Sequence, residues 1–293
     1  MIVDFHVHSN ASDGTFAPTE LVAKAAKGGF AAIALTDHDN CDGVGEFVKA
    51  GKSFADATGV SRPRCVQGIE LSVEPGAGFD KFHLLGLNVD PTNAALQAFL
   101  KKVLEGRNAR NERILENFRR LGIEMGESIF GYAHGEVLAR PHFARWLMER
   151  GYVASITEAF QKYLLPESPR ETRCYEDRFH PDQEEAIAVV HGAGGLAVMA
   201  HPKYWRRYWK ETGPEFDAAR QGLAALKEKG LDGVEALYEA NTVDENIGFT
   251  RLANELGYLK TAGSDFHGAN KPTIALGMTV TDAFIGPFME RLG

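Results

Sequence analysis

The chain has 293 residues, with 32 Lys and Arg against 40 Asp and Glu and a formal net charge of -8. Its 44% hydrophobic and 25% charged residues exclude a disordered chain, its three cysteines exclude a disulfide scaffold, and its acidic balance argues against broad binding to duplex DNA. At this length roughly three quarters of the unfolded surface is buried on folding, which allows one α/β barrel or two smaller domains. The odd cysteine count (Cys41, Cys65, Cys174) reads as free thiols in a reducing compartment. Met1 to His6 has no basic start, apolar core or cleavage site, and no apolar run approaches a membrane span. A cytoplasmic protein with no membrane partner is expected.

Strand-like and helix-like stretches alternate along the chain. Ile2 to His6 reads as a strand, Thr19 to Lys27 as a helix after Pro18, Ala31 to Thr36 as a buried strand and Val44 to Ala57 as a helix. Arg64 to Glu70 and Phe82 to Leu87 are further strands. From about Pro91 to Pro169 no clear strand appears. Leu96 to Leu121 has helical periodicity, and further helices are expected at Arg140 to Arg150 and Ser155 to Leu164. The alternation then resumes. His180 to Gly192, Glu215 to Lys229 and Asp244 to Leu256 read as helices, and Leu196 to Ala200, Gly233 to Leu237 and Leu259 to Gly263 as strands. Repeated βα units with short loops predict a mostly parallel sheet, closed or nearly closed, with an open doubly wound sheet as the competing topology. Residues 92–169 then form a helical insertion or cap between two barrel segments, 1–91 and 170–293.

Six of the ten histidines and three acids fall at the ends of these strands. His6 and His8 are two apart on an extended segment, so they leave one face. Asp13 follows in the next loop, His38 follows the second strand, and Glu70 ends the third. His83, His201, Asp265 and His267 accompany the later strands. In a parallel barrel such ends meet at one mouth. A lone histidine is usually structural, which is the reading kept for His134, His142, His180 and His191. Nine imidazoles and carboxylates converging on one mouth suit zinc, manganese or iron, and exceed what one ion needs. No Gly-x-Ser-x-Gly elbow and no complete P-loop competes with a metal site.

The segments Asp4-Phe5-His6-Val7-His8-Ser9, Thr36-Asp37-His38-Asp39, Gly68-Ile69-Glu70, His201-Pro202 and Ser264-Asp265-Phe266-His267 resemble the motifs of the PHP (polymerase and histidinol phosphatase) family. That resemblance implies a distorted (βα)7 TIM-like barrel of α/β class, related to the amidohydrolases, and a metal-dependent phosphoesterase. Ser12-Asp13-Gly14 and Arg140-Pro141-His142 are similar to the branch acting on nucleoside 3',5'-bisphosphates and on 5'-phosphorylated RNA ends. The family pattern implies His6, His8, Glu70 and Asp265 around one ion, Asp13, His38 and His267 around a second, and Glu70, His83 and His201 around a third. Among these it gives Asp13, His38, His201 and Asp265 direct catalytic roles. Many relatives carry His where this chain has Asp13, and an oxygen ligand there favours manganese over zinc or weakens occupancy. Two or three divalent ions are expected, manganese first, with zinc, iron or magnesium as alternatives.

A phosphate ester also calls for cations from the protein. Arg140 opens a helix of the insertion, and its planar fork suits phosphate. Lys203 lies two residues past His201. Tyr204 begins the aromatic and basic run through Trp209, which offers a stacking surface but equally a packed loop. Arg107, Arg110 and Arg113 are read as the charged face of the long helix. Asp37 and Asp39 flank His38, either orienting its imidazole or capping the loop. Glu235 is read as structural or as a partner of a ligand.

The expected reaction is removal of the 3'-phosphate from a nucleoside 3',5'-bisphosphate, attacked by metal-bound hydroxide. The alternative in the same site is 5'-to-3' trimming of 5'-phosphorylated oligoribonucleotides, with short single-stranded RNA as partner. Histidinol phosphate and amide substrates fit less well, since neither requires Arg140. A non-catalytic, metal-stabilised interaction module is the alternative of another class, and nine ligand-capable side chains weigh against it.

Overall fold

The computed structural model describes residues 1–57, 62–74, 81–132, 138–205 and 217–293. Its elements in chain order are β1 (Ile2–Val7), α1 (Pro18–Lys27), β2 (Phe30–Leu35), α2 (Val44–Ala57), β3 (Arg64–Val73), β4 (Phe82–Leu87), α3 (Ala94–Arg120), α4 (Arg140–Glu149), α5 (Ile156–Ala159), α6 (Gln183–Gly192), β5 (Leu196–Met199), α7 (Asp217–Glu228), β6 (Gly233–Tyr238), α8 (Val243–Glu255), β7 (Leu259–Gly263), β8 (Met278–Thr279) and α9 (Asp282–Arg291). The strands form one sheet in the order β7-β6-β5-β4-β3-β2-β1-β8. Beyond β7 the chain returns to β1. The Asp265 N–H donates to His6 O at 2.9 Å and the His8 N–H to Phe266 O at 3.0 Å, which brings the sheet close to a full barrel.

The pairs β1–β2, β2–β3, β5–β6 and β6–β7 are parallel, as the βα rhythm requires. β4 departs from it and runs antiparallel to both β3 and β5. Only residues 74–81 separate β3 from β4, too few for a helical crossover. The reversal decides where His83 lies. It sits near the start of β4, and that start faces the same mouth as the ends of the parallel strands.

Two apolar layers hold the barrel. The outer one joins Ile33, Leu35, Ile69 and Leu71 of the strands to Leu21, Phe47, Leu96, Ile187 and Phe249 of the surrounding helices. The inner one joins Val3, Phe5, Ala34, Val66, Leu85 and Val198 to Ile285 and Phe288 of α9. Helix α9 therefore plugs the floor, with the Phe5 and Phe288 rings edge to face at 4.9 Å. The register of β1 shifts between Asp4 and Val7. That shift changes the alternation of faces, so Phe5 joins the floor while His6 and His8 still reach the interior above it.

Between β4 and β5 lie α3, α4 and α5, followed by a π-helical turn, Phe160–Leu164. A third apolar cluster gathers Ile114, Phe118, Phe143, Trp146, Leu147 and Leu164, and extends past Pro169 to Cys174. Helix α3 serves both bodies: Leu96 to Val103 pack on the barrel, and Ile114 and Phe118 in the helical cluster. All three cysteines are free thiols. Among the described residues no helix is long and apolar enough to cross a membrane.

Candidate metal and phosphate site

The nine sequence-predicted donors come together at the mouth. Glu70, fully buried on β3, is the centre. Its Oε1 lies 3.3 Å from His6 Nε2, 2.8 Å from His83 Nδ1 and 3.1 Å from His201 Nε2. Its Oε2 lies 3.2 Å from His8 Nε2 and 2.9 Å from His38 Nδ1. Asp265 Oδ1 is 3.6 Å from His6 Nε2 and 3.3 Å from His8 Nε2. Asp13 Oδ1 is 3.2 Å from His267 Nε2, and its Oδ2 is 3.9 Å from His38 Nε2. Backbone geometry serves the cluster too. Asp39, His201 and Asp265 take positive φ values of 55°, 27° and 59°, a conformation costly for non-glycine residues.

Burial alone would push the Glu70 carboxyl up, but the imidazoles around it, His38 foremost, hold it well below the usual carboxylate range. Burial pulls His8 down, and Asp265 and Glu70 overcome it, raising the ring to about 9. Yet among the described residues His6 Nε2, both nitrogens of His8, His38 Nδ1 and Glu70 Oε2 make no hydrogen bond of proper geometry. Buried polar atoms are normally paired. Here lone pairs converge on shared points instead of donors meeting acceptors, and three overlapping sets are close enough to hold a cation: His8, Asp13, His38 and His267; His6, His8 and Glu70; His38, Glu70 and His83. The mixture of imidazole and carboxylate suits divalent metals.

A second layer orients the donors. Glu235 Oε1 lies 3.1 Å from His6 Nδ1, which leaves Nε2 to face Glu70. Its Oε2 accepts the His201 N–H at 2.6 Å, fixing the turn that carries that ring. Gly263 lets the layer close, because a Cβ there would meet Glu235 Oε1 at 2.2 Å and His6 Cβ at 2.5 Å. Asp37 accepts from Ser9 N at 2.8 Å and Ser12 Oγ at 2.5 Å, so it shapes the loop carrying Asp13.

Asp39 turns the other way, and its Oδ2 accepts from Arg107 and from Arg178, the latter at 2.8 Å. Four guanidiniums crowd together here: Arg107 and Arg178 against Asp39, with Arg110 and Arg140 beside Arg107. The long helix departs from expectation here: Arg107 and Arg110 are not a solvated face but are 5% and 3% exposed. Arg113 is half-exposed and pairs with Glu176. Burial, with Arg107, Arg140 and Arg178 beside it, pushes Arg110 down to about 8. Its Nε and Nη2 have no partner among the described residues. Arg140 donates to Leu164 O at 3.3 Å and stacks near Tyr175. A guanidinium resists losing its proton, so this crowding is of the kind that an anion would relieve.

The remaining candidates divide. Tyr204 is half-exposed and lies edge-on to the His201 ring. It lines a cavity of about 320 Å³ that opens onto His38, Glu70, His83 and His201. Lys203 is turned away, with its Nζ donating to Ala240 O and lying 3.1 Å from Glu245. Trp205 is buried against Phe82. Arg206 to Trp209, and His134, fall outside the described residues. Gly51-Lys52-Ser53 lies within α2, where Ser53 donates to Lys49 O, and forms no phosphate loop. Arg178, in a loop without periodicity, carried no sequence signal. Arg107 and Arg110 did carry one, because they continue the stripe Val103, Ile114, Phe118 at spacings of four and three.

Comparison with known proteins agrees with this geometry. The PHP domain profile matches residues 4–102. A 3',5'-nucleoside bisphosphate phosphatase of Chromobacterium violaceum is 33% identical over 278 residues, covering 90% of this chain and 87% of that protein. A 5'-3' exoribonuclease of Haemophilus influenzae is 32% identical over 266 residues, covering 90% and 89%. An amidohydrolase structure from Chromobacterium violaceum, with bound sulfate and no metal, superposes with a TM-score of 0.83 at 29% identity, covering 99% of this chain and 95% of that one. The donor-bearing barrel and the helices above it are thus shared along nearly the whole length, and the chain belongs to the PHP family.

Proposed function

We propose that the chain is a metal-dependent phosphoesterase that removes the 3'-phosphate from nucleoside 3',5'-bisphosphates. The observation that carries this reading is the pair of adjoining charge sites. A buried cluster of imidazoles and carboxylates lies on one side of the His38-Asp39 turn, and the guanidiniums of Arg107, Arg110, Arg140 and Arg178 lie on the other. A substrate with two phosphates matches both. The relative named as a 3',5'-nucleoside bisphosphate phosphatase, and the sulfate in the related structure, support the same chemistry.

In this reading His6, His8, Glu70 and Asp265 hold one ion, Asp13, His38 and His267 a second, and Glu70, His83 and His201 a third. Manganese suits the set because Asp13 adds an oxygen donor. Bound divalent ions activate water at neutral pH and neutralise phosphoryl oxygens. Asp13, His38, His201 and Asp265 shape the reacting pocket, and Glu235 keeps His6 turned toward Glu70. Arg140, with Arg107, Arg110 and Arg178, binds the 5'-phosphate through charge-assisted hydrogen bonds. Tyr204 offers a ring to the nucleoside, while Lys203 braces its turn against α8. Residues 92–169 act as the cap that brings Arg107, Arg110 and Arg140 over the mouth. Free thiols and the intended nucleotide substrate fit a cytoplasmic setting.

The test is to supply manganese-loaded protein with adenosine 3',5'-bisphosphate, adenosine 3'-monophosphate and a short 5'-phosphorylated RNA. AMP and phosphate from the bisphosphate, at a kcat/KM at least about 10²-fold above the monophosphate, is the expected result. Arg140→Ala lowers that advantage by about 10- to 100-fold and spares a generic aryl phosphate. A second groove, between Thr15 and Asn270 of the barrel and Tyr132 and Arg145 of the helical body, favours an exoribonuclease as the second reading. Efficient stepwise release of 5'-mononucleotides from the RNA would move the assignment there.

A further inference from the structure

Lys271 stands at the mouth through no motif of the donor set. The turn before it, Gly268–Asn270, is pinned to the loop carrying Asp13. Ala269 N donates to Thr15 Oγ1 at 3.0 Å, and Asn270 Nδ2 donates to Asp13 O at 2.7 Å. Gly268 has φ 65°, and a Cβ on it would meet Thr15 Oγ1 at 2.1 Å, so this close approach requires glycine. Pro272 follows and disfavours a helical Lys271, which takes φ -131° and ψ 72°. The backbone is therefore set before the side chain is considered.

The ammonium of Lys271 reaches Asp265 Oδ2 at 2.5 Å. The same oxygen accepts the Tyr238 hydroxyl at 3.0 Å, so Asp265 has a second anchor. Its other oxygen, Oδ1, faces His6 and His8. Lys271 lines the cavity together with His38, Glu70, His83 and His201, and its side chain is 40% exposed. Lys81 lines that cavity too, but it is held by Asp177 at 2.7 Å and by Glu74 at 3.3 Å. Lys271 is the lysine in that lining whose one ion-pair partner is itself a member of the donor cluster.

We propose that Lys271 is a catalytic residue whose ammonium binds a non-bridging oxygen of the phosphoryl group under attack. The inference rests on the phosphoesterase reading. In the hydrolysis, the oxygen of water bonds to phosphorus, the P–O3' bond breaks, and its electron pair leaves on the 3'-oxygen, which takes up a proton originating from that water. Lys271 keeps its proton throughout. Its task is electrostatic: charge on the equatorial phosphoryl oxygens meets a cation already fixed in place by the turn.

The experiment compares wild type, Lys271→Met and Lys271→Arg, each loaded with manganese. Metal content is measured by elemental analysis, inorganic phosphate affinity by calorimetry, and turnover on adenosine 3',5'-bisphosphate. Lys271→Met is expected to keep its metal, bind inorganic phosphate at least about tenfold more weakly, and lose about 10²- to 10³-fold in kcat. Lys271→Arg restores part of both losses. Turnover within threefold of wild type in Lys271→Met overturns the proposal. So does a loss of activity matched by loss of metal, which would make Lys271 a support for Asp265 alone. If wild type leaves the bisphosphate intact yet binds phosphate through Lys271, the substrate reading fails and the phosphate contact stands.

Discussion

Glu70→Gln replaces the carboxylate among five imidazoles with a neutral amide of the same shape. Those rings lie within 3.3 Å of its two oxygens. The variant should lose at least one divalent ion per chain in elemental analysis. Its turnover should fall by more than the roughly 10- to 100-fold that loss of an outer partner costs. Full metal content in Glu70→Gln would remove Glu70 from the bridging role. Arg110 poses the complementary question for the anion. A buried cation without a carboxylate partner is destabilising until an anion arrives. Phosphate or sulfate should therefore raise the Tm of the wild type. Arg110→Met should be no less stable in anion-free buffer, with a smaller shift on adding phosphate. An undiminished shift in the variant would place the anion elsewhere.

At the scale of elements, Asp39 is the tie between α3, the Arg178 segment and the loop after β2. Burial pushes its carboxyl up, and Arg178 and Arg107 beside it reverse this and hold it well below the usual range. A depressed acid adds stability that is complete above its unfolded value near 3.8. That stability is lost as pH falls further toward the folded value. Asp39→Asn should thus be less stable by about 3 to 5 kcal/mol, with the same gap at pH 5 and pH 7. The gap should shrink below about pH 4, where the unfolded chain takes up a proton that the folded Asp39 carboxylate still refuses. Denaturant melts across that range measure it, and a gap that widens on acidification would contradict the assignment.

These same elements mark what was legible in the sequence. The parallel strands and their terminal donors were readable because short apolar runs alternate with helical stretches across short loops. The direction of β4 was not, since Phe82 to Leu87 has the same apolar pattern whichever way it runs. Helix α9 escaped notice because Gly286 and Pro287 interrupt its periodicity. The metal cluster came through a family resemblance as well as through position. The guanidinium cluster did not, because Arg178 lies far along the chain from Arg107 and only the fold brings both to Asp39.

Across the whole molecule, stability and chemistry occupy opposite ends of one barrel. The floor is apolar: Phe5, Val66, Leu85 and Val198 close over Phe288 and Ile285 of α9. Arg64 seals it by donating to Leu292 O at 2.8 Å. The mouth is polar, and its imidazoles and carboxylates converge on shared points in sets close enough to hold a cation. Ligands that bind only the folded state stabilise it by mass action, so chelation should lower the Tm without abolishing the fold. Phe288→Ala removes a fully buried ring from the other end, at a cost of about 3 to 5 kcal/mol. Because the two sites share no side chain, their effects should add to within about 0.5 kcal/mol. The manganese-dependent gain in stability should therefore be the same in Phe288→Ala as in wild type, measured by melts with and without chelator. A smaller gain in the variant would mean that the floor also sets the geometry of Glu70 and its histidines, and that this barrel couples its two ends.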